Sequence, residues 1–294
     1  MDPLAGRNLR QIESVLHPTD FSAASLTAFH HALKAALIAR SGLTLLHVST
    51  GELHEVGDFP EVRETLARWG ALPPGSSRAD VRECGIEVRK VIARRGDPVQ
   101  GVLDYLDGHH ADLIVLAAHQ HEGRMAWLSQ SVSEPIARHA GLMTLFIPEG
   151  DLGFVSAAGG SVLLRKILIP VAESPSPQPA VDAAARLAQR LNLPQGVFTL
   201  LHVGDADTIP AVDCPEVPGW EWTRMTRQGA VISGIVEAAL ESDTDLVVMS
   251  TDGRNGFLDG LRGSHSERVL RQVSAPLLTV PAGSLAEAHA RAVS

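Results

Sequence analysis

The sequence predicts an α/β protein built from two tandem, mostly parallel five-stranded sheets flanked by helices. Short apolar runs rich in β-branched residues, such as Asp245 to Met249, alternate with stretches whose apolar residues recur at helical spacing. Apolar residues make up 45% of the chain but aromatics only 4%, so the interior is aliphatic, as buried parallel sheets are. The pattern also repeats. At a constant offset of 133, Gly96 matches Gly229, Gly101 Gly234, Asp112 Asp245, Val115 Val248, Ser131 Ser264, Arg138 Arg271 and Pro148 Pro281. A parallel sheet covered on both faces needs right-handed crossovers and places ligands at the carboxyl ends of its strands.

Residues 1–13 are polar, and Val15 to Phe21 reads as a first strand ending at a Pro-containing turn, with Asp20 at its carboxyl end. With Ser22 or Ser25 as cap, Leu26, Phe29, Leu33, Ala36 and Leu37 form one apolar helical face through Arg40. Leu43 to Val48 is the second strand, and a long connection follows, with a helical stretch near Val62 to Trp69. Ile86 to Ile92 is the third strand, Val99 to Leu106 a helix and Leu113 to Ala118 the fourth strand. The loop His119 to Ser129 and a helix near Val132 to His139 lead to a fifth strand, Met143 to Ile147. Domain 1 is thus 1–150. Residues 151–163, rich in Gly, Ala and Ser, read as a linker, 164–285 as domain 2 and 286–294 as a tail.

Upstream of the constant offset, LTLLHV at Leu43 to Val48 recurs as FTLLHV at Phe198 to Val203, and LHPTD at Leu16 to Asp20 recurs loosely as LIPVA at Leu168 to Ala172. The first half spends 48 residues between His47 and Gly96, the second only 26 between His202 and Gly229. The second half therefore lacks the intervening helix. Its Pro-rich loop from Asp205 to Pro218 leads to a strand near Glu221 to Met225, and one sheet flank is expected to be barer and a candidate contact surface.

A net charge of −9 argues against nucleic acid or an anionic membrane as partner. Cys84 and Cys214 are far apart without CxxC spacing, which suits a reducing cytoplasm. No charged-then-apolar leader opens the sequence, and no apolar run approaches a bilayer span, so a soluble cytoplasmic protein is expected.

After Asp245 to Met249 comes a loop with Gly253, Gly256, Gly260 and Gly263, then Ser264, which can cap a helix opening at His265. Unsatisfied N–H groups at a Gly-rich turn and a helix start attract phosphate. The same composition also suits a loop that only has to turn tightly.

With these residues the chain resembles the universal stress protein family, as a tandem pair covering nearly all of it. HPTDFS at His17 to Ser22 and both LHV strands match the family pattern, whose loop after the fourth strand has the form G-x2-G-x9-G-(S/T). The resemblance implies a Rossmann-like nucleotide-binding fold of the adenine nucleotide α-hydrolase type. It also implies that the Asp and the Val of LHV hold adenosine, while loop glycines and Ser hold phosphates. In the second half the loop runs Ser250, Thr251, Asp252, Gly253, then Gly263 and Ser264, with small Ser250 in place of the first Gly. The implied site is Pro170, Val203, Met249, Ser250, Gly253, Gly263, Ser264 and His265, taking ATP, with Mg²⁺ possible through Asp252 and Asp259. The Asp position is Ala172, one residue before Glu173. In the first half Asp20 and Val48 are in place, but the loop positions are Ala117, Gln120 and Gln130, so poor ATP binding is expected there.

Other chemistry is less well supported. His119, His121 and Glu122, and the pairs His30, His31 and His109, His110, lack a completing cluster at ligand spacing, so no metal site is assigned. His47 and His202 read as packing or hydrogen-bonding residues repeated in both halves. No nucleophile–base–acid set is evident, so at most a weak ATPase is expected. The expected role is a stress-response sensor or regulator binding an adenine nucleotide. The alternative is a non-binding scaffold acting by protein association. Met143 to Ile147 and Leu277 to Val280 are candidate pairing strands, within the chain or in a homodimer.

Overall fold

The computed structural model describes residues 12–51, 53–118, 136, 141–151, 153–251 and 265–282. The chain forms two compact units, with a boundary between Leu163 and Leu164 and with residues 141–143 grouped with the second.

In the first unit, strands β1 (Ser14–Pro18), β2 (Gly42–Ser49), β3 (Glu87–Arg94), β4 (Leu113–Ala118) and β5 (Met143–Pro148) lie in the order β3-β2-β1-β4-β5. The β1–β2, β1–β4 and β2–β3 pairs are parallel. Helix α1 (Ala23–Ala39) starts where the Ser22 hydroxyl accepts from the Ser25 amide, and stops at Arg40 in the left-handed region. It buries Ala28, Phe29, Leu33 and Ala36. Helices α2 (Val62–Arg68) and α3 (Arg78–Glu83) fill the long crossover, and α4 (Pro98–Gly108) begins with Pro98 behind the Asp97 side-chain cap. The first strand is shorter than its sequence suggests. It ends at Pro18 because the chain turns sharply, with Phe21 at φ 63. The loop His119 to Ser129 and the expected helix near Val132 to His139 fall outside the described residues, except for Ile136, which is buried.

In the second unit, β6 (Lys166–Pro170), β7 (Gly196–Val203), β8 (Trp220–Arg227), β9 (Leu246–Thr251) and β10 (Leu277–Pro281) take the order β8-β7-β6-β9-β10. The β6–β7, β6–β9, β7–β8 and β9–β10 pairs are parallel. Helices α5 (Gln178–Arg190), α6 (Val231–Glu241) and α7 (His265–Leu270) complete it. The strand order is that of the first unit, as the repeat predicts.

Two repeated residues show why the repeat persists. Asp112 Oδ2 accepts from the Glu13 and Ser14 amides at 2.9 and 3.1 Å, and Asp245 Oδ2 from Arg165 and Lys166 at 2.7 and 2.8 Å. Each carboxylate ties the entry to the fourth strand of its unit to the start of the first. Asp245→Ala should therefore lower stability by about 1–2 kcal/mol, through loss of a charge-assisted pair of hydrogen bonds. A urea midpoint unchanged from wild type would refute that role. The histidines behave alike too. His47 Nδ1 donates to Thr19 O at 2.8 Å and His202 Nδ1 to Val171 O at 3.1 Å, each fixing the chain where it leaves the first strand of its unit.

The flank expected to be bare needs correction. The second unit has no α-helix between β7 and β8, only a 3-10 turn at Ala206–Thr208, but the segment after that turn is held against α5. Gln178 donates to Asp213 O and accepts from Asp213 N, both at 2.9 Å, Gln189 reaches Glu216 O at 3.5 Å, and Trp222 Nε1 donates to Pro215 O at 2.8 Å. Phe198 lies between Trp220 and Trp222, with ring centroids 4.4 and 4.2 Å away. The apolar part of the flank is thus covered, and what β8 exposes is polar: Glu221, Thr223, Arg224 and Thr226.

Candidate functional site

The carboxyl ends of the second unit's strands bring together four of the residues singled out from sequence. Pro170 closes β6 and Val203 closes β7, both half-buried, while Met249 is buried and Ser250 half-buried near the end of β9. Register explains the convergence. Leu168 pairs with Val247, which sets Pro170 level with Met249, and Pro170 pairs with Leu201, so Val203 reaches two residues further. His265 is exposed at the start of α7, while Gly253, Gly263 and Ser264 lie outside the described residues.

Ser250 does more than replace a glycine with a small residue. Its Oγ accepts at 3.2 Å from the Ala180 amide in the first turn of α5, an N–H shared with the Pro177 carbonyl at 3.1 Å. No spacing in the sequence points to that bond, because the partners are 70 residues apart. Ala172 and Glu173 are both exposed, just beyond β6. The Val203 wall of the mouth is set by a glycine. A Cβ on Gly234 of α6 would stand 2.9 Å from Val203 Cγ2, so only glycine admits the helix that close. The first unit repeats this contact, where a Cβ on Gly101 would stand 2.6 Å from Val48 Cγ1.

At the same end of the first unit, Pro18 pairs with Leu46, and Val48 again extends two residues beyond. Asp20 is exposed and its Oδ1 accepts from the Ser22 amide at 3.0 Å. Phe21, next to it, stacks on His47 with centroids 4.4 Å apart, and meets His54 at 4.9 Å and Phe59 edge-on at 5.2 Å. This aromatic cluster begins at the residue after Asp20, a feature that sequence reasoning missed. The only available signal was an aromatic residue directly after Asp20.

Beneath that mouth, His17 is fully buried. Its Nδ1 donates to Val115 O at 2.9 Å, and its Nε2 faces Ser25 Oγ at 3.4 Å. Burial pushes its pKa down to about 4, partly opposed by the Val115 carbonyl and by Asp20, so the ring is neutral near pH 7. Ser25 beside a histidine resembles a nucleophile pair, but both residues are buried and the Ser25 hydroxyl donates to Thr19 Oγ1 at 2.8 Å. The arrangement is structural. Among the described residues, no group of three or more His, Cys, Asp or Glu side chains is placed to hold a metal ion. Among them too, no helix is long and apolar enough to cross a membrane.

The family model for universal stress proteins matches residues 11–148 and 216–281. The match omits β6, α5 and β7 and resumes just before β8. A universal stress protein from Archaeoglobus fulgidus DSM 4304 shares the fold, with a TM-score of 0.62 over 93% of this chain and 100% of its own at 17% identity. Universal stress protein UspA from Lactobacillus plantarum aligns with 48% of this chain and 99% of its own, at 24% identity and a TM-score of 0.32. A universal stress protein solved in complex with cAMP aligns with 47% and 98%, at 21% identity and a TM-score of 0.31. A comparison with curated protein sequences found no match. With its family model matched over more than half of the chain, this protein belongs to the universal stress protein family.

Proposed function

We propose that the protein binds ATP or a related adenine nucleotide, with Mg²⁺, in its second unit, and acts in the cytoplasm as a sensor or regulator of the stress response with at most slow hydrolysis. One observation carries this reading. Pro170, Val203, Met249 and Ser250 converge at the carboxyl ends of β6, β7 and β9, directly ahead of a loop sequence that keeps Gly253, Gly263 and Ser264. In the first unit, Gln120 and Gln130 replace loop glycines and the Phe21 ring, next to Asp20 in the chain, stacks on His47, which favours a structural role there.

The test is to denature the purified protein, chromatograph what it releases, and titrate fresh protein with ATP and Mg²⁺, and with cAMP. Gly263→Asp should abolish binding by adding bulk and negative charge to the phosphate loop, while Gln130→Asp should leave it unchanged. Equal losses from both, or no binding at millimolar nucleotide, would end the proposal. A second reading has its own support. Ala172 offers no carboxylate to a base or sugar, and the family match skips 149–215, which favours a scaffold that works by association. That reading expects dimerisation independent of nucleotide, so a strictly monomeric sedimentation profile would count against it.

A further inference from the structure

Residues 153–163, which follow β5 and its turn, form a hairpin. It is closed by the antiparallel Val155–Val162 bridge and by the Leu163 amide donating to Phe154 O at 2.8 Å. The hairpin docks on the first unit, where Phe154 and Val155 are buried. On α2 and the residue after it, Arg68 Nε and Trp69 Nε1 both donate to Ala157 O, at 3.1 and 3.2 Å. On α1 its hydrogen bonds run through a single atom. His31 Nδ1 faces the Thr27 carbonyl at 2.9 Å, so Nδ1 carries the proton and Nε2 the lone pair. That lone pair accepts from the Phe154 and Val155 amides at 3.0 and 3.2 Å, and the Phe154 ring meets His31 edge-on at 4.7 Å. Gly153, at φ 63, lets the main chain pass so near that any Cβ there would overlap the imidazole.

We propose that His31 is an acid-operated latch, and that a proton on its Nε2 releases the hairpin 153–163 from α1 into free chain. The reason is geometric. Protonated Nε2 would present an N–H to two N–H groups, leaving three donors and no acceptor in a buried site. The charged neighbours do not rescue it. His30 and Lys34 on α1 and Arg68 on α2 are basic, and β4 carries no ionisable side chain. Asp151, on the hairpin side, uses Oδ1 to accept from the Gly153 amide at 2.8 Å. Burial first, and then the nearby His30, push the pKa of the docked ring down to about 4 against the pull of the Thr27 carbonyl. A released ring would titrate at the ordinary 6.5. Docking is therefore complete above 6.5 and weakens as the pH falls towards 4, the open fraction rising about tenfold per pH unit and about 300-fold in all.

Amide hydrogen exchange on the full chain tests this, read as protection factors at Phe154 and Val155 so that the intrinsic pH dependence cancels. Far-UV circular dichroism is followed in parallel. Wild type should lose protection about tenfold per pH unit between pH 6.5 and 4, with its far-UV signal intact. His31→Ala should be unprotected at every pH. His31→Gln, docked or open, should show no slope. The proposal is overturned if wild-type protection is flat over that range, if His31→Gln keeps the wild-type slope, or if protection disappears only together with the far-UV signal.

Discussion

Acidification from pH 6.5 to about 4 is expected to remove about 3 kcal/mol of stability from the first unit through His17 alone. The folded ring titrates at about 4 and the unfolded one at 6.5, so the unfolded chain binds the extra proton and stability falls with pH. The contribution is complete above 6.5 and shrinks by about 1.4 kcal/mol for each pH unit below it. His31 has a similar shift, yet the two rings need not behave alike. His31 can take its proton by shedding a hairpin, whereas His17 lies between α1 and β4, bonded to Val115 O, and can be reached only by opening the core. Urea midpoints at the two ends of this pH range would measure the loss. His17→Leu should begin less stable near neutrality and lack most of the slope. The same pH dependence in both proteins would show that His17 does not set it.

Gly219→Ala should destabilise the second unit by at least about 3 kcal/mol. Gly219 has φ 79, and its Cβ would fall inside the van der Waals radius of the Pro194 carbonyl oxygen, a main-chain atom that cannot turn aside. The Gly196 amide also donates to Gly219 O at 3.1 Å, so the turn entering β8 is tied to the start of β7. Gly229→Ala is the control. Its φ is 109 but nothing lies within 4 Å of a Cβ there, so only backbone strain of about 1–2 kcal/mol is expected. Comparable losses of melting temperature in the two variants would contradict the clash as the cause.

The sequence displayed the element order, the repeat and the carboxyl-end position of Pro170, Val203, Met249 and Ser250. These depend on hydrophobic periodicity and on where each strand's apolar run ends, both of which are local. The pairing of Asp245 with the start of β6 was visible only as a matched residue, since its bonds to Arg165 and Lys166 cross 80 and 79 positions. The hairpin 153–163 was hidden because its Gly, Ala and Ser residues carry no period, and what holds it is His31, Arg68 and Trp69, remote in the chain. The Ser250–Ala180 bond and the Phe21 cluster were hidden for the same reason. A side chain's partner across the fold leaves no mark on its neighbours in sequence.

Between β7 and β8, the stretch Asp213 to Glu216 is gripped through three of its peptide groups. Gln178 engages Asp213 N and O, Gln189 engages Glu216 O, and Trp222 engages Pro215 O. A grip on peptide groups ignores which amino acids supply them. Evolution can therefore rewrite the exposed side chains at Ala211 and Cys214 without moving the chain, whereas removing a residue would throw every grip out of phase. Drift in wording but not in length is the substitution pattern this predicts among orthologues.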